Sequence, residues 1–369
     1  MSQREQFIRE AEQGTRPFSR LCEEFGISRK TGYKWLKRYR EQGHAGLRDQ
    51  SRRPHTSPRR SPPEVEQLVL SLRRKHPAWG GRKLHGHLKL NSTPHVPSPS
   101  TITAILRRQG QIDLSQSHKH RPMQRFERAH PNELWQMDFK GPFSLAGQNC
   151  FPLTVLDDHS RFLITLQACA DQRRETVQGH LEASFKRYGL PEAMLVDNGP
   201  PWSPSDTEAY HTRLAVWLMR LGIRVIRCRP YHPQTLGKDE RLHRTLKAEL
   251  ISRHEWAQFD ECQNQFQTWR HLYNAERPHE ALGDLPPISR YRSSSRPFPA
   301  ELPTPCYPQE AAIRLVHDGG RISFRAQRFR VGRAFEGLKV GLLPGASPGH
   351  YDVYFCAEHI KAIQVEEVQ

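Results

Sequence analysis

The sequence predicts a multidomain chain. It reads as N-terminal α-helical helix-turn-helix modules, then an α/β core, then a small C-terminal β-barrel. Three observations predict this. Apolar residues recur at helical spacing through the first third of the chain. From Glu133 the pattern changes to short apolar runs alternating with amphipathic helices. After a Pro-rich stretch at 296–308, five short β runs are separated by Gly and Pro turns. At 369 residues the chain is too long for one ordinary core.

Phe18, Leu21, Cys22 and Phe25 fall at i, i+3, i+4 and i+7, one helical stripe ended by Gly26. Ser28 can cap a second helix over 29–39, with Gly32 as a weak point inside it. Two helices and a short Gly-containing turn make a helix-turn-helix, residues 1–46. Residues 47–63 hold five arginines and four prolines and read as a semi-extended linker. Val65, Leu68, Val69 and Leu72 start a second helical module, 64–120, with a helix capped at Ser100. The core, 121–295, is expected to have strands at 134–139, 151–156, 162–167, 194–196 and 223–228. Helices are expected at 175–188 and 207–221. Phe259, Cys262, Phe266, Trp269 and Tyr273 repeat at 3, 4, 3, 4 on a long helix packed on the core. The β runs of 309–369 suggest an SH3-like barrel.

Charge bounds the partner. The net charge is +17, with 27 Lys/Arg against 11 Asp/Glu in residues 1–130 and 29 against 28 in the rest. A polyanion docked by the first third explains the asymmetry, and double-stranded DNA fits a helix-turn-helix. Arg29, Lys30, Thr31 and Lys34 open the second helix, suited to phosphates and base edges of a major groove. Arg52, Arg53, Arg59 and Arg60 of the linker are candidates for a minor groove. Arg82 and Lys83 are candidates in the second module. No apolar run approaches the roughly 18 residues of a membrane helix. The first residues show no secretory pattern, so a cytoplasmic, nucleoid-associated protein with no membrane contact is expected. Seven scattered cysteines without a Cys-x-x-Cys read as buried reduced thiols.

Three acids stand in distinct settings. Asp138 lies in a strand beside Trp135, Met137 and Phe139, where a buried charge needs compensation. Asp197 closes the run Ala-Met-Leu-Val and is followed by Asn198 and Gly199. Glu240 opens a helix. Carboxylates on two strand ends and one helix could hold two hard cations for phosphoryl transfer. Asp239 is the nearest rival, but neighbours on a helix point about 100° apart, so both cannot face one site. Arg244 and Lys247 share a face with Glu240 and can hold phosphates. His232 and Gln234 precede that helix and are further DNA candidates. Asp157 and Asp158 read as turn residues.

The ordered set is Asp138, then Asp197-Asn198-Gly199, then His232-Pro-Gln-Thr-Leu-Gly-Lys-Asp-Glu240-Arg-Leu-His-Arg-Thr-Leu-Lys247. The tail Tyr273-Asn-Ala-Glu-Arg-Pro-His-Glu-Ala-Leu-Gly283 follows. Together they resemble the integrase-core DDE transposases of bacterial insertion sequences, relatives of retroviral integrases. The resemblance covers most of residues 15–295. It implies a ribonuclease-H-like core, with Asp138, Asp197 and Glu240 as catalytic ligands of two Mg²⁺ ions, Mn²⁺ substituting. It selects Glu240 over Asp239 because the family's glutamate directly precedes arginine. It implies nicking of transposon 3′ ends, joining to target DNA, and a homo-oligomer of at least two copies. The interval from Asp197 to Glu240 exceeds the retroviral spacing, and the Pro/Ser-rich 200–206 is the place for the extra length.

Overall fold

A computed structural model describes residues 2–49, 60–112, 127–202, 211–228 and 237–366. The chain divides into two compact units, Met1–Arg60 and Ser61–Gln369.

The first unit holds α1 (Gln3–Gln13), α2 (Phe18–Glu24) and α3 (Arg29–Gln42). The helix-turn-helix pair is present, and Ser28 caps α3 by accepting from the Thr31 backbone N–H. Helix α1 was not foreseen. It has only two buried apolar residues, Phe7 and Ile8, and starts at a Ser2–Glu5 capping box. Phe7 is the centre of this unit, meeting Phe18, Phe25 and Trp35 edge-on. Gly32 is explained by the same packing. A Cβ there would lie 2.8 Å from Cys22 Sγ and 2.9 Å from Phe7 Cζ.

The second unit begins with α4 (Pro63–Lys75), α5 (Gly81–Leu90) and α6 (Pro99–Arg108), packed around Val69, Trp79, Leu84, Ile102 and Ile105. The cap of α6 is Ser98, not Ser100, because Pro99 takes the first helical position.

The core follows. Its strands are β1 (Trp135–Phe139), β2 (Phe143–Leu145), β3 (Gln148–Asp157), β4 (Leu163–Cys169), β5 (Ala193–Val196) and β6 (Arg224–Arg227). Its helices are α7 (Arg174–Tyr188), α8 (Arg213–Arg220), α9 (Gly237–Glu249) and α10 (Phe259–Ala275). Strand β1 lies between antiparallel β3 and parallel β5; β6 flanks β5, β4 flanks β3, and β2 forms a hairpin with the start of β3. The hairpin was missed because β2 is too short to show an alternating pattern. Expected helix residues 207–210 lie outside the described residues, and the described helix starts at Arg213.

Alternation along β1 separates two layers. Trp135 and Met137 join the core formed with α7 and α8. The opposite core contains Leu242 and Leu246 of α9 and Cys262, Phe266, Trp269 and Tyr273 of α10. The even residues Gln136 and Asp138 therefore lie on the α9 side.

The C-terminal part has β7 (Ala312–Leu315), β8 (Arg321–Phe324), β9 (Gln327–Arg330), β10 (Lys339–Pro344), β11 (His350–Phe355) and β12 (Glu358–Gln364). They make a four-stranded antiparallel sheet, β12-β11-β10-β7, and a separate β8–β9 hairpin. Both share one core, which also takes Val216 and Met219 of α8. Among the described residues no strand pairing closes the two into the expected barrel. They form a small sheet-and-hairpin layer docked on α8.

Replacing Gly32 by Ala should overpack the first unit and cost about 1–3 kcal/mol. Hydrogen exchange of the α1–α3 amides should accelerate, while that of the core strands stays unchanged.

Candidate active site

The parallel pairing of β1 with β5 sets the site. Met137 is opposite Val196, so Asp138 and Asp197, one residue further on each strand, emerge side by side at the strand ends. Outside the carboxyl ends of strands is where open α/β sheets place ligands. Gly199 lets the chain fold over the second acid, since a Cβ there would sit 2.8 Å from Asp197 Oδ2. Burial pushes the Asp138 carboxyl up to about 7, helped by the Asp197 and Glu240 charges. Asp197 is also pushed up, again by burial first.

Helix α9 supplies the third acid. Glu240 is exposed and lines a cleft of about 350 Å³ with Lys140, Gly141, His243, Arg244 and Lys247. Asp239 does not line that cleft. It is fully buried, neither carboxylate oxygen has a hydrogen-bond partner, and burial together with Asp138 and Asp158 raises its pKa well above the usual range. The turn of roughly 100° between helical neighbours thus puts Glu240 in the open cleft and Asp239 beneath it.

The three acids share one end of the sheet but are not closed around one point. Among the described residues, no three His, Cys, Asp or Glu side chains stand close enough to hold a single ion. Burial first, and then repulsion from Asp197 and Glu240, raises the Asp138 pKa. The donor set still fits a hard divalent cation. It is all carboxylate oxygen at a solvent-open end, and a cation would relieve the repulsion that adds to burial in protonating Asp138.

Several residues of the site escaped the sequence reading. Lys140, on the segment after β1, faces Lys247 across the cleft, and burial lowers its pKa, with Lys247 adding to the effect. His243 packs between the two elements. Its Nδ1 lies 3.7 Å from Asp138 Oδ2, and its Nε2 lies 2.8 Å from the Thr154 hydroxyl. Burial and Lys140 lower the His243 pKa to about 4, so the ring is neutral and forms no ion pair with Asp138. Cys228, at the end of β6, also faces the acids; burial and then Asp197, Asp138 and Asp239 push its thiol up to about 11.

Asp157 and Asp158 need separate accounts. Asp157 does close the turn, accepting from the Ser160 N–H and hydroxyl and from the Asn132 N–H. Asp158 does more than that. It is fully buried and accepts from Gln136 Nε2 at 2.6 Å, from the Arg128 N–H, and from Lys238 Nζ. Gln136 is two residues before Asp138 on β1, and Lys238 is two before Glu240 on α9. One carboxylate therefore ties the strand of the first acid to the helix of the third.

The expected DNA contacts fall into three groups. Arg29, Lys30 and Lys34 are exposed on α3, while the Thr31 hydroxyl is bonded to Ser28 in the cap. Arg244 and Lys247 are exposed at the cleft. Arg60 is exposed; Arg52, Arg53, Arg59, His232 and Gln234 lie outside the described residues. Arg82 is exposed and Lys83 is half-buried, and each pairs with an acid of the core. Arg82 reaches Glu280 at 3.2 Å and Lys83 reaches buried Glu249 at 3.6 Å. Burial, then Arg277, lowers the Lys83 pKa to about 8. Both pairs join the second helical module to the core, and the Arg82 guanidinium stays in solvent. The cysteines are all free, but Cys306 is exposed.

Family models match along the chain: a helix-turn-helix domain at 3–55, a homeodomain-like domain at 31–106, an integrase core domain at 128–233 and again at 221–287. The C-terminal stretch, 311–369, matches the C-terminal domain of IS481 family transposases. The chain belongs to the DDE transposases of the retroviral-integrase superfamily. These are polynucleotidyl transferases. Among relatives, the transposase is 24% identical over 249 residues to an uncharacterized 39.2 kDa protein of insertion element IS476 from Xanthomonas euvesicatoria, covering 66% of this chain and 69% of that one. It is 32% identical over 128 residues to the Gag-Pro-Pol polyprotein of simian retrovirus SRV-2, covering 34% of this chain and 7% of the polyprotein. It is 25% identical over 159 residues to an IS407 protein of Burkholderia multivorans, covering 42% of this chain and 54% of that one. A chain of the simian T-cell lymphotropic virus intasome superposes with a TM-score of 0.39 at 17% identity, covering 80% of this chain and 99% of that one. The HTLV-2 integrase catalytic core with magnesium gives 0.35 at 13%, covering 44% and 99%. At that overlap the family assignment rests on the sequence matches.

Two outcomes follow from the site. A carboxyl raised to about 7 contributes to metal-free stability fully below about pH 4, and that contribution is lost as pH rises through about 7. A cation must displace the proton, so Mg²⁺ affinity should rise between about pH 6 and 8, with proton uptake by the buffer in calorimetry; Asp138→Asn should abolish the dependence. Lys238→Met should leave the buried Asp158 carboxylate without its ammonium partner, held only by Gln136 and the Arg128 N–H, and lower stability by about 3–5 kcal/mol, read by denaturant unfolding. Lys238→Arg should recover part of it.

Proposed function

We propose that this transposase binds the terminal inverted repeats of an insertion sequence, nicks their 3′ ends and joins them to target DNA. The observation that carries this is the pair Asp138 and Asp197, each one residue past the paired Met137 and Val196, with Glu240 and three cations lining a cleft whose His243 reaches toward Asp138. Two divalent ions, Mg²⁺ or Mn²⁺, held by Asp138, Asp197 and Glu240 would supply Lewis acidity and a deprotonated attacking oxygen. The chain's own groups do the rest. Lys140, Arg244 and Lys247 hold the phosphates flanking the scissile bond, and their cationic field offsets charge that grows on the phosphorus oxygens. One cleft serves both steps, because water attack on the end and 3′-hydroxyl attack on the target are both in-line displacements.

Recognition is assigned to the N-terminal part. The first module, 1–46, presents Arg29, Lys30 and Lys34 to a major groove, and the arginines of linker 47–63 reach the adjoining minor groove. His232 and Gln234 remain candidates beside the scissile phosphate. The second module is assigned to 64–120, the core to 121–295 and the β domain to 309–369. Two ends joined in concert require at least two copies of the chain, working at the nucleoid in the cytoplasm.

Asp138→Ala should keep terminal-repeat binding and lose nicking and joining by about a thousandfold or more, as the loss of several kcal/mol of charge stabilisation requires. Cleavage that survives the change would remove the assignment of the acid. Pre-cut ends separate a transposase from a nuclease, since only the former joins them to a target. Binding should weaken steeply with salt. The triple change of Arg29, Lys30 and Lys34 to Ala should flatten the log–log slope by about 2–3, as the loss of that many phosphate contacts implies.

A further inference from the structure

His243 is fixed in one tautomer by a hydrogen-bond relay. The Thr154 hydroxyl has one proton, and it goes to the Asp138 backbone carbonyl at 3.0 Å, which can only accept. The same hydroxyl lies 2.8 Å from His243 Nε2, so Nε2 must carry the hydrogen and donate it. Nδ1 is then a bare lone pair. It faces Asp138 Oδ2 at 3.7 Å, too far for a hydrogen bond. A ring lone pair and a carboxyl oxygen this close in a nearly buried setting can share a cation, which would take the place of the proton on Asp138. The spacing is close to that of a chelate. Two cis arms of roughly 2.1 Å on an octahedral ion span about 3.0 Å, so a small rotation of the Asp138 or His243 side chain brings both atoms onto one ion. Protein imidazoles that bind metal commonly have their second ring N–H engaged in a hydrogen bond of this kind. Here the acceptor is itself hung on the backbone of the residue whose carboxylate would share the ion. His243 is also one turn along α9 from Glu240, so one helix offers both donors to the same end of the sheet.

We propose that His243 Nδ1 is a further ligand to the divalent cation at Asp138. This rests on reading the cleft as the metal site of the transposase. An imidazole in an otherwise all-carboxylate set favours Mn²⁺ over Mg²⁺, because nitrogen suits the transition ion better than the alkaline-earth one.

The test loads the full-length protein with Mn²⁺ and records pulsed EPR. The wild type should show ¹⁴N modulation from a bound imidazole. His243→Gln keeps an amide N–H for Thr154 but has no donor in place of Nδ1. It should lose the modulation, bind Mn²⁺ about tenfold more weakly, and bind Mg²⁺ with less change, while its melting temperature stays near that of the wild type. The wild-type spectrum decides the matter even if the variant folds poorly. Mn²⁺ that is bound in an Asp138-dependent manner without ¹⁴N modulation overturns the proposal and leaves a proton shared by Asp138 and His243. Mn²⁺ binding that Asp138→Ala leaves unchanged overturns the metal site itself, a separate failure.

Discussion

The side-by-side placement of Asp138 and Asp197 is the constraint on which the rest of the core depends. Parallel pairing of β1 with β5 leaves no freedom in it, because the register Met137–Val196 forces the next residues together. Burial, with the neighbouring Asp197 and Glu240 charges added, pushes the Asp138 carboxyl up to about 7. The repulsion is a cost to the fold and a demand for a cation. It also accounts for why Glu240 stands in the open cleft and has not closed on the other two.

The helix that carries Glu240 is held from below. Asp158 joins Gln136 of β1 to Lys238 of α9, and the fully buried Asp239 lies next to this link with no hydrogen-bond partner. Buried, unpaired polar groups are costly, and among the described residues Gln136 Oε1 and both Asp239 carboxylate oxygens are such groups under the site. A second buried hub joins the modules. Glu249, at the end of α9, accepts from Arg277 at 3.0 Å and faces Lys83 of α5. The helix bearing the third acid is thus tied at one end to the sheet and at the other to the second helical module. A shift of α9 would be felt in both.

The sequence was most legible where local periodicity and position coincide. The α10 stripe buries Cys262, Phe266, Trp269 and Tyr273, and the Ser28 cap stands where expected, because spacing along one helix is a local property. Helix α1 was not legible, since its two buried residues give almost no period and it is held by its capping box and by Arg4 bonded to Leu47 O. The barrel expectation named five of the six strands, missing β7, and not their pairing, which depends on how the hairpin and sheet share a core. Lys83 looked like a surface cation only because its partner Glu249 belongs to a distant part of the chain, at the end of α9.

The chain's order of residues determined by itself that three acids lie in strand-end and helix settings, that the first third is cationic, and that the family is that of integrase-core transposases. Only the tertiary structure decided what surrounds the acids. His243 on Thr154, Lys140 across from Lys247, and Asp158 under α9 each join a strand or the segment beside it to a helix that comes much later in the chain. No spacing rule reaches that far. A motif names side chains along one element, whereas their charge states and partners follow from the elements packed against it.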